Sequence, residues 1–146
     1  MSSTTASNQT APATLPPLTR TVWPCVNYRD AHAALAFLAD AFGFVQTLVV
    51  DGGPERPVAH AEMRWPEGGG IMLGSAVSGG NAFEQRPTGA LSIYVVTEQP
   101  DALFARATAA GATVVRGLED TDYGSRGFTV SDPEGNLWSF GTYLGS

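Results

Sequence analysis

One pattern runs through this chain twice, and that duplication constrains its fold more than any other feature. In the first pass an apolar strand, "TVWPCVNY" (21–28), leads to Asp30, whose side chain suits a helix N-cap. "AHAALAFLADAF" follows, with Leu35, Leu38 and Phe42 on one helical face and Gly43 as its stop. A strand, "FVQTLVV" (44–50), and a turn, "DGGPERP", come next. Two further apolar stretches, "VAHAEMRW" and "GIMLGSA", are separated by "PEGGG". The order is β-α-β-β-β.

After a linker, "VSGGNAFEQRPTG" (77–89), the order returns. "ALSIYVV" reads as a strand, "PDALFARATAA" as a helix started by Asp101 and stopped by Gly111, and "ATVVRGL" as a strand. "RGFTVSD", the turn "PEG" and the strand "NLWSFGTY" complete it. Trp23 stands as far from Gly43 as Leu91 does from Gly111, and Pro66-Glu67-Gly68 recurs as Pro133-Glu134-Gly135. With 146 residues, 43% of them hydrophobic, the chain suits one domain with a real core. The expected fold is therefore α+β: two tandem β-α-β-β-β repeats forming curled mixed sheets around a cavity, with the helices on the convex side. Residues 19–146 make the domain, with repeat one at 19–76, the linker at 77–89 and repeat two at 90–146. The Ser/Thr/Pro-rich segment 1–18 has neither a basic start nor an apolar core, so it reads as a disordered tail and not as a secretory leader.

"YGSRGFTVSDPEGNLWSFGTY" at the end and "HAEMRW" in the middle carry a resemblance over roughly residues 19–146 to the vicinal oxygen chelate superfamily. That superfamily comprises glyoxalase I, extradiol dioxygenases, fosfomycin-resistance enzymes and bleomycin-resistance proteins, and the likeness is to the bleomycin-resistance branch. The resemblance implies a divalent-metal position formed by the first and last strand of each repeat. Carried across in register, those positions are Trp23, Met72, Leu91 and Ser139. Indole and Leu offer no lone pair, a thioether is soft, and a neutral hydroxyl is a weak ligand. No metal and no other cofactor is therefore expected, and Ser139 marks a lost ligand position instead of a nucleophile.

Strand alternation nominates the ligand-contacting residues. Trp23, Cys25 and Asn27 share one side of the first strand. His60, Glu62 and Arg64 lie opposite the core-facing Ala61 and Met63. Met72, Leu91, Ile93 and Val95 form an apolar wall, and Ser139 and Tyr143 face inward from the last strand while Trp138 and Phe140 pack on the helices. The polar segment "GLEDTDYGSRGF" adds Tyr123, Arg126 and three carboxylates near the mouth, and reads either as a ligand-closing loop or as an ordinary solvated acidic loop. Cys25 reads as an inert small hydrophobe, and His32 as an exposed helix residue.

Fourteen carboxylates against eight Arg and no Lys give a net charge of -6, which argues against nucleic acid or an anionic membrane as partner. The lone Cys25 permits no internal disulfide and fits a cytoplasmic location. Three functions stay open. The first is a metal-free protein that sequesters an amphipathic, cationic aromatic molecule, acting as the homodimer that the resemblance implies. The second is an enzyme with a non-aligned metal site or with His60 and Glu62 as acid–base residues. The third is an interaction module whose cavity is filled by its own side chains.

Overall fold

In a computed structural model that describes residues 22–146, the two passes of the pattern form two four-stranded mixed sheets. The expected tail 1–18 and the first residues of the expected domain lie outside the described residues. The first sheet takes β1 (Cys25–Tyr28), β2 (Val45–Val50), β3 (His60–Arg64) and β4 (Gly70–Ser75) in the order β1-β4-β3-β2. The second takes β5 (Ser92–Val96), β6 (Thr113–Asp120), β7 (Arg126–Ser131) and β8 (Leu137–Gly141) in the order β5-β8-β7-β6. In both, the first and last strands of the repeat pair in parallel and the others are antiparallel. Helix α1 (Ala31–Phe37) continues as a π-helical turn over Leu38–Phe42, and helix α2 spans Pro100–Ala109.

Local chemistry explains the helices. Asp30 caps α1 by accepting from the Ala33 amide at 3.1 Å, and Gly43 ends the π turn with φ +88°, a left-handed conformation that a side chain would disfavour. The start of α2 differs from expectation. Its N-cap is Gln99, because Pro100 fits the first helical position where no amide donor is needed. Asp101 lies inside the first turn and pairs instead with Arg126.

Both sheets bury the face that carries the helices. Val26 and Tyr28, Ala61 and Met63, and Ile71 and Leu73 point inward from the first sheet, and Phe128, Val130, Trp138 and Phe140 from the second. They meet in one core. The Phe42 ring lies 5.4 Å from Trp138 and 4.8 Å from Phe140, and Trp65 lies 5.8 Å from Phe140, so aromatic rings of one repeat pack on the sheet of the other. The opposite face of each sheet is left open by this core, as the expected pair of curled sheets requires.

The π turn also shifts the expected correspondence between repeats. Cys25 pairs with Met72, and Tyr94 pairs with Ser139. Cys25 therefore corresponds to Tyr94, and the match of Trp23 to Leu91 is replaced. A π turn inserts one residue into a helix, and the first repeat has one residue more between its strand and its stop glycine.

The two halves are tied by the turns that follow β3 and β7. The Asp132 carboxylate is 4% exposed and accepts from five donors: the Tyr28 hydroxyl at 2.6 Å, the Asn136 side chain, the Trp138 indole, and the backbone amides of Glu134 and Asn136. Burial, together with the charge of Asp132, pushes the Tyr28 hydroxyl pKa far upward, so it stays a donor. Glu134 accepts from the Arg29 and Asp30 amides at 2.7 and 2.8 Å, just ahead of α1. In the first repeat Glu67 accepts from the Glu98 amide at 2.9 Å, just ahead of α2. Each Pro-Glu-Gly turn thus holds the strand–helix junction of the other half.

Tyr28→Phe is expected to cost about 2 kcal/mol in urea unfolding, the range for a hydrogen bond to a buried charge. Asp132→Asn should cost more, about 3 kcal/mol, because its amide nitrogen would oppose donors that the carboxylate accepts.

Candidate ligand-binding site

The outward face of the first sheet presents its side chains in three rows set by register. Trp23 stands beside Gly70, Arg64 and Val45; Cys25 beside Met72, Glu62 and Leu48; Asn27 beside Gly74, with His60 and Val50 beyond it. The central strand β4 thus offers Gly70, Met72 and Gly74, a single thioether between two positions without side chains. A Cβ on Gly70 would lie 2.5 Å from the Met63 carbonyl and 2.8 Å from the Trp23 ring, so only glycine allows the indole to rest there. Ala61 and Met63 are fully buried, so the alternation expected for β3 holds.

A cleft of about 240 Å³ opens on this face, with Cys25, Asn27, His60, Met72, Gly74 and Phe83 in its wall. A neighbouring cleft of about 570 Å³ shares Cys25, Asn27 and Phe83 and extends to Arg86, Leu91 and Asn136. Phe83, 76% exposed, belongs to the linker 77–89, which folds into a strap over the edge of the sheet. Asn81 turns the strap by accepting from the Phe83 and Glu84 amides at 3.0 and 2.9 Å. Arg56 forms a two-pronged ion pair with Glu84, and the Asn27 amide donates to the carbonyls of Phe83 and Arg86. By sequence alone this segment reads only as a linker. Its one local signal is the Asn-x-x-Glu spacing, by which Asn81 and Glu84 satisfy each other's backbone.

Other expected site residues are placed elsewhere. Tyr143 stands on the second sheet's outward face, 5.6 Å from Tyr123 in an edge-to-face pair, and Tyr94 donates to the Tyr143 carbonyl at 2.8 Å. Desolvation raises the Tyr94 hydroxyl pKa. Ser139 bonds Thr129 at 2.7 Å, and Arg116 reaches the same Thr129 hydroxyl. Ile93 and Val95 pair in register with Trp138 and Phe140, so they lie on the helix side and do not extend the wall with Met72. Ile93 and Tyr94 instead border a seam of about 550 Å³ between the halves, with Trp65 and Gly70. Arg126 is also on the helix side, sharing the alternation of Phe128 and Val130. It holds Asp101 at 2.8 and 3.0 Å and Asp120 at 3.3 Å. These partners raise its pKa and hold Asp101 below the usual carboxylate range.

Most of the segment 117–128 read as a loop is strand. Glu119 and Asp120 end β6, Arg126 begins β7, and Thr121 bonds Ser125 across a short turn. Glu119 lies beside Arg116 and Asp120 beside Arg126, which offsets the acidic field that favoured a cationic ligand.

The donor set does not fit the superfamily's metal. In the observed register the paired positions are Cys25 with Met72 and Tyr94 with Ser139, of which Tyr94 and Ser139 already serve internal hydrogen bonds. His60 and Glu62 do meet, at 2.8 Å, but no group of three or more His, Cys, Asp or Glu side chains converges among the described residues.

Two tandem β-α-β-β-β modules share one core, and each leaves one sheet face open. The chain belongs to the Glyoxalase/Bleomycin resistance protein/Dioxygenase superfamily, whose family model matches residues 19–140. It is 38% identical over 117 residues to the uncharacterized protein Mb0911c of Mycobacterium bovis, covering 77% of this chain and 76% of that one. Among solved structures it is similar to TioX from Micromonospora sp. ML1, with TM-score 0.68, 29% identity, and coverage of 85% of this chain and 100% of that chain. A glyoxalase/bleomycin resistance protein from Streptomyces sp. CB03234 shares the fold, with TM-score 0.63, 24% identity, and coverage of 83% and 98%. No helix among the described residues is long and apolar enough to cross a membrane.

Arg56→Gln is expected to speed amide hydrogen exchange over residues 81–86 while leaving the melting temperature nearly unchanged. Arg56 first, then the Asn81 amide, holds Glu84 below the usual carboxylate range. A depressed carboxylate stabilises above its unfolded pKa and loses that contribution as pH falls through the folded one. The protection factor of the strap amides, the free-peptide exchange rate divided by their own at the same pH, should therefore be flat across neutral pH and fall only below the usual glutamate value of about 4.3.

Proposed function

We propose that this protein sequesters an amphipathic aromatic small molecule on the first sheet's outward face without transforming it and without a metal. The observation that carries this reading is the floor of Met72 and Gly74, bordered by the Trp23 indole over Gly70 and roofed at its edge by Phe83. A polarizable thioether beside the side-chain-free Gly74 accepts a flat ring, and the indole lying over Gly70 adds stacking surface. The donors at the metal positions favour binding over Lewis-acid chemistry. Similarity to a bleomycin resistance family is in keeping with a drug-like ligand. The protein acts in the cytoplasm as a homodimer, with each subunit's open faces available to the other. A second reading, proton transfer by an enzyme, is favoured by one contact, the His60–Glu62 pair.

A thermal-shift screen of bleomycin and other aromatic compounds, run beside elemental analysis, tests the proposal. Saturating ligand should raise the melting temperature by about 5 °C, as expected for binding near a hundredfold above Kd. Trp23→Ala should weaken binding at least about tenfold, while lowering the melting temperature only slightly. Stoichiometric metal removed by chelator, or turnover lost in His60→Gln, would favour the enzyme.

A further inference from the structure

Arg64 lies on the outward face of β3, paired in register with Gly70 of β4 and Val45 of β2. Its Nε is shut off from solvent and has no hydrogen-bond partner, the one such buried side-chain nitrogen or oxygen among the described residues. Five other arginines among the described residues are compensated, whereas Arg86, in the wall of the larger cleft, has no carboxylate beside it. Arg29, Arg56, Arg116 and Arg126 each stand beside a carboxylate, and Arg106 bonds the carbonyls of Ala39 and Asp40. Glu62, two residues away on the same face, turns its carboxylate to His60 at 2.8 Å and forms no ion pair with Arg64.

A guanidinium does not shed its proton at ordinary pH, and a buried N–H without an acceptor is costly. The chain thus keeps a permanent, incompletely satisfied cation at one end of an apolar floor, with the Trp23 ring next to it across Gly70. We propose that Arg64 anchors a carboxylate on the ligand, whose aromatic body lies over Met72; this rests on the first sheet's face being the ligand site. The planar fork of guanidinium matches a carboxylate in a two-bond geometry, which an amide or a cation cannot reproduce. From Arg64 to His60 along β3 is about 13 Å, room for a two-ring aromatic acid lying along the strand. Charge selection at this site is by contact. The net charge of -6 would draw cations at long range, so a preference for the acid cannot come from the overall field.

A matched series separates these effects: 1-naphthylacetic acid, 1-naphthylacetamide and 2-(1-naphthyl)ethylamine, titrated calorimetrically into the full chain at pH 7.5. The acid should bind at least about tenfold tighter than the amide, with the amine weakest. Arg64→Gln should bring the acid down to the amide's affinity and leave the amide unchanged, and Arg64→Lys should retain part of the preference. The ligand-free melting temperature of Arg64→Gln should equal or exceed that of the wild type, since an unpartnered donor is removed. Equal binding of acid and amide, tighter binding of the amine, or an acid preference that survives Arg64→Gln would overturn the anchor and leave the aromatic site standing. Loss of all three compounds in Arg64→Gln with a lower melting temperature would make Arg64 structural and also overturn it. A wild type that binds none of the three would bring down the ligand site and the anchor together.

Discussion

A carboxylate without solvent is tolerable only when its oxygens are fully occupied, and Asp132 meets that condition by drawing on both halves of the chain. Tyr28 comes to it from β1 and Trp138 from β8, so this one group sets which way each of those strands faces. With Tyr28 turned inward, period-two geometry turns Asn27 and Cys25 outward. With Trp138 turned inward, Ser139 faces out toward Thr129. The chemistry available on both open faces is thus decided at a buried site on the helix side of the sheets.

Much of this arrangement is legible in the amino-acid sequence. Ala61 and Met63 alternate with His60, Glu62 and Arg64 as a half-buried strand requires, and Gly43 marks its helix end as a left-handed stop. What the sequence hides is of three physical kinds. The π turn over Leu38–Phe42 leaves no mark in hydrophobic periodicity, because its apolar residues still fall on one side, and yet it moves the counterpart of Cys25 by one residue, from Ile93 to Tyr94. Long-range hydrogen bonds leave no local trace either. Asp132 has the local setting of an ordinary turn residue, and Arg126 that of a mouth residue, until the fold brings Asp101 and Asp120 to it. The strap passes for a connector because its contacts run to Arg56 and Asn27, far away along the chain.

The two open faces differ despite the pattern they share. The row of Cys25, Met72 and Glu62 in the first sheet corresponds to Tyr94, Ser139 and Thr129 in the second. One face offers a low floor with charged groups at its ends. The other is filled by its own tyrosines and hydroxyls, which bond to one another. Only the first is roofed by the 77–89 strap, so the asymmetry of side chains is matched by an asymmetry of cover.

The reciprocal grip of Glu67 and Glu134 on the opposite half has a consequence for assembly. Neither contact requires that the two halves belong to the same polypeptide. Two chains that opened at the segment between Ser75 and Ser92 could trade halves and restore both grips, the Tyr28–Asp132 bond and the shared aromatic core. Only the path of the connecting segment would differ, and with it the strap. Exchange of that kind would preserve the interior while rewriting the cover of the cleft.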